Sequence, residues 1–208
     1  MTILERLASQ GVLPVLRCFD AADAVSTARA AMRAGLRVVE LTYSTPDVLD
    51  AIRELARDDE VLPGLGTMDS AAQVAPAVKA GARFVVSFRH PPSFVEAAHE
   101  AGVPAIPAAF TPEEVGRCAD AGADLVKLFP AARLTPDFVR DMRVVLPTVR
   151  YLATGGIRPD AASIRPWLEA GAVAVGIGSG IGTVAAVGAD EVERRCRSAL
   201  AAASHRTT

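Results

Sequence analysis

The sequence predicts a (β/α)8 barrel, a single domain over residues 1–208, and two observations carry that expectation. An amphipathic helical pattern repeatedly ends in Ala-Gly, at Ala34-Gly35, Ala80-Gly81, Ala101-Gly102, Ala121-Gly122 and Ala170-Gly171, and an apolar run follows each one. Glycine just past a helix end takes the left-handed conformation that closes the last turn. The intervals between these marks are one or two units of about 20–25 residues, the pitch of strand and helix alternating in a parallel sheet.

The elements follow in order. A short helix opens the chain over Ile3–Ser9. Strand one, Leu13–Arg17, leads to a helix over Ala21–Ala34, and strand two, Arg37–Thr42, to one over Pro46–Ala56. Strands three to five are Leu62–Gly66, Phe84–Ser87 and Ala105–Ala108, followed by helices over Ser70–Ala80, Ser93–Ala101 and Pro112–Ala121. The last of these starts with Thr111-Pro112-Glu113-Glu114, which offers a threonine N-cap, proline at the first helical position and glutamate at the third. Strand six, Leu125–Phe129, precedes a helix over Pro136–Val145, with Thr135-Pro136-Asp137 as a shorter capping signal. Strands seven and eight, Arg150–Thr154 and Val173–Ile177, precede helices over Ala161–Ala170 and Asp190–Ala203, with a fraying tail to Thr208. A doubly wound open sheet is the structural alternative, but no change of pattern marks a switch point.

Composition narrows the function. The chain is 50% hydrophobic and 22% charged with a net charge of −2, which argues against nucleic acid as the main partner. Cys18, Cys118 and Cys196 are scattered without metal-ligand or disulfide spacing, which suits a reducing cytoplasm and offers no zinc site. Residues 1–10 place Glu5 and Arg6 among apolar residues, so no signal-peptide core is expected. Residues 170–189 carry no charge for twenty residues, yet six of them are glycine, which reads as a buried strand and a glycine loop rather than a membrane span.

In such barrels the reactive groups gather at the C-terminal ends of the strands. Lys127 stands alone in the apolar run Leu125-Val126-Lys127-Leu128-Phe129-Pro130; only Lys79 joins it among 22 basic residues. Strand alternation puts it on one face with Leu125 and Phe129. A lysine in apolar surroundings loses hydration, which favours the free amine, a nucleophile toward carbonyl carbon. Glu40, near the end of strand two, is the natural partner, either as a structural ion pair or as a general acid/base beside the amine. Thr67 follows a glycine-rich strand end, and Arg17 puts a guanidinium at the rim, suited to holding a carboxylate. Thr154-Gly155-Gly156 after strand seven and Gly176-Ile177-Gly178-Ser179-Gly180 after strand eight form the pair of loops that commonly bind phosphate in this architecture, with backbone amides near a helix start. The spacing around Gly176 is not the dinucleotide fingerprint. Arg89 and His90, after strand four, read as solvated loop residues. With three histidines and no paired ligands, no metal is expected.

Val-Val-Glu40-Leu-Thr, Gly-Leu-Gly-Thr67, Leu-Val-Lys127-Leu-Phe-Pro130, Thr154-Gly-Gly-Ile and Gly-Ile-Gly178-Ser179, in this order over nearly the whole chain, resemble the aldolases that cleave 2-keto-3-deoxy-6-phosphogluconate, its galactonate epimer or 4-hydroxy-2-oxoglutarate to pyruvate. The resemblance implies a cofactor-free enzyme, a homotrimer of simple barrels, acting on small keto acids and on neither nucleic acid nor membrane. It further implies Lys127 as Schiff-base lysine, Glu40 as proton carrier, Arg17, Thr67, Thr154 and Pro130 as substrate-binding residues, and Gly155, Gly156, Gly178 and Ser179 as the phosphate site. The chain departs from the pattern where the gluconate branch has arginine and this sequence has Ser44; Arg17 looks like the galactonate-type arrangement. Ser-Pro-Gly after strand four is here Ser87-Phe88-Arg89. Two rivals stay open: a phosphate-binding isomerase or transferase needing no lysine, and a non-catalytic binder.

Overall fold

The computed structural model describes residues 1–204; the expected tail 205–208 lies outside them. Nine parallel strands, β1 (Val12–Leu16), β2 (Val38–Thr42), β3 (Leu62–Met68), β4 (Val85–Ser87), β5 (Ala105–Ile106), β6 (Ala108–Ala109), β7 (Val126–Leu128), β8 (Tyr151–Thr154) and β9 (Ala174–Ile177), run in the order β5-β4-β3-β2-β1-β9-β8-β7-β6. The two ends of that order are halves of one chain segment separated by Pro107. Proline has no N–H to give to a ladder, so the expected fifth strand breaks there. Its first half pairs with β4 and its second with β7, and the ring is thereby nearly closed: eight strand positions of a (β/α)8 barrel.

Burial sorts into two shells because the strands alternate. Leu13, Val38, Phe84, Ile106, Leu125, Leu152 and Ala174 point into the barrel and pack with Leu4 and Leu7 of the opening helix α1 (Ile3–Gln10), which covers the N-terminal end. The opposite faces pack outward against the surrounding helices. Gln10, the last residue of α1, stitches this end together: its amide nitrogen donates to the Val12 and Val38 carbonyls and its oxygen accepts from the Arg37 and Val38 N–H groups.

The helices keep their expected places with local differences. Thr111 forms the full capping box with Glu114, whereas Thr135 makes no side-chain cap bond. The helix expected from Pro46 starts at Val48, because Asp47 sits in the left-handed region (φ 52°). The one expected from Ser70 opens as a 3-10 turn over Ala71–Gln73 before Val74–Ala80. Two short pieces were not anticipated: a 3-10 turn over Ala131–Arg133 and a one-turn helix over Val184–Val187, both on the side where the strands end.

Candidate active site

Lys127, the middle residue of β7, points into the barrel and is only 3% exposed. Its Nζ lies 3.7 Å from Oε1 of Glu40, which is fully buried on β2. That is ion-pair range but beyond a hydrogen bond, so neither Glu40 carboxylate oxygen has a hydrogen-bond partner among the described residues. Burial raises the Glu40 pKa above its ordinary value, against the opposing charge of Lys127 and, more weakly, Arg17. Glu40 is pressed against β3 where Gly66 passes: a Cβ there would stand 1.9 Å from Glu40 Oε1. Only glycine leaves room for a carboxylate beneath the lysine.

Above Lys127 opens a cavity of about 430 Å³. Its wall includes Arg17, Thr67, Thr154, Gly155, Gly156, Gly178 and Ser179, so seven groups expected from scattered strand ends meet around one space. Lys127 also sits 5.4 Å from the Phe129 ring centroid, as the alternation requires. Thr67 reaches the wall by an irregular route. The register of β3 on β4 shifts between Leu65 and Met68, and Thr67 there has φ 60°. A bulge of this kind re-aims a side chain, and the left-handed conformation costs a β-branched residue on the order of 1–3 kcal/mol. Thr154, 5% exposed, has a hydroxyl without a hydrogen-bond partner among the described residues. Its neighbour Gly176 makes the space for it, since a Cβ there would meet Thr154 Oγ1 at 2.3 Å.

Arg17 stands at the exposed rim just past β1 and makes no ion pair among the described residues. The next residue is tied down: the Cys18 N–H donates to Thr45 Oγ1 at 3.1 Å. Cys18 itself is no nucleophile, because burial and then the charge of Asp23 push its thiol up to about 12. Ser44, which stands where the gluconate-type arginine was sought, spends its hydroxyl on Thr42 Oγ1 at 3.1 Å. Pro130 does not line the cavity; it precedes the Ala131–Arg133 turn, whose Ala132 N–H donates to the Gly155 carbonyl and holds that loop in place.

The wall also contains Val15, Phe88, Phe129, Gly182 and Thr183, to which sequence reasoning gave no role. Alternation signals two of them, since Val15 shares a face with Arg17 and Phe129 shares one with Lys127. Thr183 sits at the end of the glycine-rich run and caps the helix that follows. Arg89 and His90 do not join this cavity. They line a neighbouring one of about 760 Å³ with Phe110 and Arg117, walled off by Phe88 and Phe129. Among the described residues no three His, Cys, Asp or Glu side chains gather as metal ligands, and no helix is long and apolar enough to cross a membrane.

The family described as KDPG and KHG aldolase matches residues 3–197. The 2-dehydro-3-deoxy-phosphogluconate aldolase of Treponema pallidum is 35% identical over 159 residues, 76% of either chain. The 2-dehydro-3-deoxy-6-phosphogalactonate aldolase of Escherichia coli is 26% identical over 171 residues, 81% of this chain and 82% of that one. Among solved structures, the KDPG aldolase of Legionella pneumophila with pyruvate captured as a covalent carbinolamine superposes with a TM-score of 0.83 at 26% identity, covering 97% of this chain and 98% of that one.

Proposed function

This chain belongs to the KDPG and KHG aldolase family and is a class I aldolase, a carbon–carbon lyase acting on 2-keto-3-deoxy sugar acids, and we propose that Lys127 is its Schiff-base residue and Glu40 its proton carrier. The observation that carries the assignment is a buried amine on the floor of a cavity, 3.7 Å from a carboxylate with no hydrogen-bond partner among the described residues.

The free amine of Lys127 attacks the C2 ketone, and loss of water from the carbinolamine gives an iminium. Glu40, as carboxylate, takes the C4 hydroxyl proton by way of a water molecule. As the C4 oxygen becomes a carbonyl, the C3–C4 bond breaks and its electron pair flows into the iminium. An aldehyde leaves, and a pyruvate enamine remains on Lys127. Protonation at C3 regenerates the iminium, and water then releases pyruvate and the amine. No step calls for a cofactor.

Arg17 takes the substrate carboxylate as a charge-assisted pair, with the hydroxyls of Thr67 and Thr154 beside it. Gly155, Gly156, Gly178 and Ser179 receive the phosphate of a 6-phosphorylated substrate, and Pro130 acts indirectly, by leading into the turn that anchors Gly155. The chain works as a homotrimer, in keeping with its resemblance and with the exposed Phe88, Phe110 and Phe129 clustered beside the site. Three buried free cysteines suit a reducing cytoplasm.

Incubation with pyruvate and borohydride is expected to add one reduced pyruvyl group, located at Lys127 by peptide mass mapping. Lys127→Arg is expected to remain unlabelled and to lose aldol cleavage, because guanidinium does not supply a free amine. An unlabelled wild-type Lys127 refutes the assignment.

A further inference from the structure

Beside the proposed phosphate loop lies a buried carboxylate that the chemistry above does not use. Asp23, in the first turn of the helix Ala21–Arg33, is 8% exposed. Its Oδ2 accepts the Phe19 N–H at 3.0 Å, two residues after Arg17. Its Oδ1 accepts the Ala185 N–H at 2.8 Å and the Thr27 hydroxyl at 3.3 Å. Thr27, fully buried on the same helix, accepts the Val184 N–H at 2.9 Å, and Thr183 caps Ala186 at 3.3 Å. All three N–H groups at the start of the helix Val184–Val187 are therefore taken up inside the protein. The helix start expected to contribute amides to a phosphate is filled by the chain's own oxygens, so a substrate phosphate is left to the loops before it, residues 155–156 and 178–183.

From this juxtaposition we propose that Asp23 is a positioning residue: it pins residues 184–185, on which the loop 178–183 ends, to the loop after β1, fixing the distance between the phosphate side of the cavity and the Arg17 side. It reaches two segments at once because each of its two oxygens accepts an N–H. A carboxylate accepts at both oxygens, whereas the isosteric amide accepts at one and presents an N–H to the other donor. Asp23 lines no part of the cavity, so its loss acts on substrate grip and leaves the bond-making at Lys127 alone.

The inference rests on the phosphate assignment under Proposed function, and wild type assayed with the same sugar acid lacking its phosphate separates the two: a wild-type KM that does not rise on loss of the phosphate overturns the phosphate assignment itself. Asp23→Asn is assayed with a 6-phosphorylated 2-keto-3-deoxy sugar acid and, independently, by borohydride trapping of pyruvate. The expected result is a KM raised at least fivefold for the phosphorylated substrate, with kcat and the pyruvate concentration for half-maximal trapping changed less than threefold. A smaller change in KM, or parallel losses in kcat and trapping, overturns the inference while leaving the aldolase assignment standing. A wild-type enzyme that traps no pyruvate overturns that assignment as well. Thr27→Val, which removes the acceptor for Val184 and the hydroxyl donated to Asp23 but keeps the carboxylate itself, decides the matter by the same criteria if Asp23→Asn does not fold.

Discussion

Glu40 is held where a carboxylate is least comfortable, and its discomfort sets the pH behaviour of the enzyme. Burial raises its pKa, so the carboxylate needed to accept a proton accumulates only above the ordinary carboxylate range of about 4–4.5. The acid limb of kcat/KM is accordingly expected above that range, and Glu40→Gln is expected to remove it while lowering cleavage by about 10²–10⁴-fold. Borohydride trapping of pyruvate by the variant checks that Lys127 is intact. The same shift has a stability consequence of definite sign. A carboxyl with a raised native pKa binds more protons folded than unfolded as pH passes the unfolded value, so its contribution is fullest below that value and declines as pH rises through the native one. Denaturant titrations of wild type and Glu40→Gln from acid to neutral pH are expected to show the difference moving steadily in favour of the variant. A difference that does not change with pH contradicts the raised carboxyl.

At the scale of elements, β3 is where regularity gives way to use. Its register shift and the left-handed Thr67 bring that residue to the wall of the cavity at the expense of backbone strain. Asparagine tolerates that conformation better than a β-branched residue. Thr67→Asn is expected to keep or raise the melting temperature while kcat/KM falls about tenfold; a variant that loses stability and keeps activity would contradict a functional origin for the strain. Periodicity shows why some of the site was legible beforehand and some was not. Lys127 and Glu40 announced themselves as single charges in apolar strands, and alternation alone put Lys127 on one face with Leu125 and Phe129. The Ala-Gly stops located the helices for the same local reason. The Pro107 break was within reach of the sequence, since proline gives no N–H to a ladder, but the Thr67 conformation, the one-turn helix at Val184 and the reach of Asp23 across 162 residues to Ala185 follow from tertiary pairing, which no short window of sequence contains.

For the whole molecule, the near-closed ring of parallel strands brings groups from β1, β2, β3, β7, β8 and β9 to one end, although they are far apart in the chain. The exposed aromatic cluster around Phe110, which is 39% exposed, borders that end. Exposed apolar side chains gathered in one place make this a candidate partner surface. Sedimentation is expected to give three times the 21.7 kDa chain, and Phe110→Asp to reduce the mass toward one chain; a wild type that sediments as a single chain rules out the trimer. Leu4 and Leu7 stopper the opposite end. Among the described residues the vessel therefore has one doorway, and traffic through it must queue: the covalently tethered three-carbon piece lies deepest, so the aldehyde departs first, and in the synthetic direction pyruvate must enter before it.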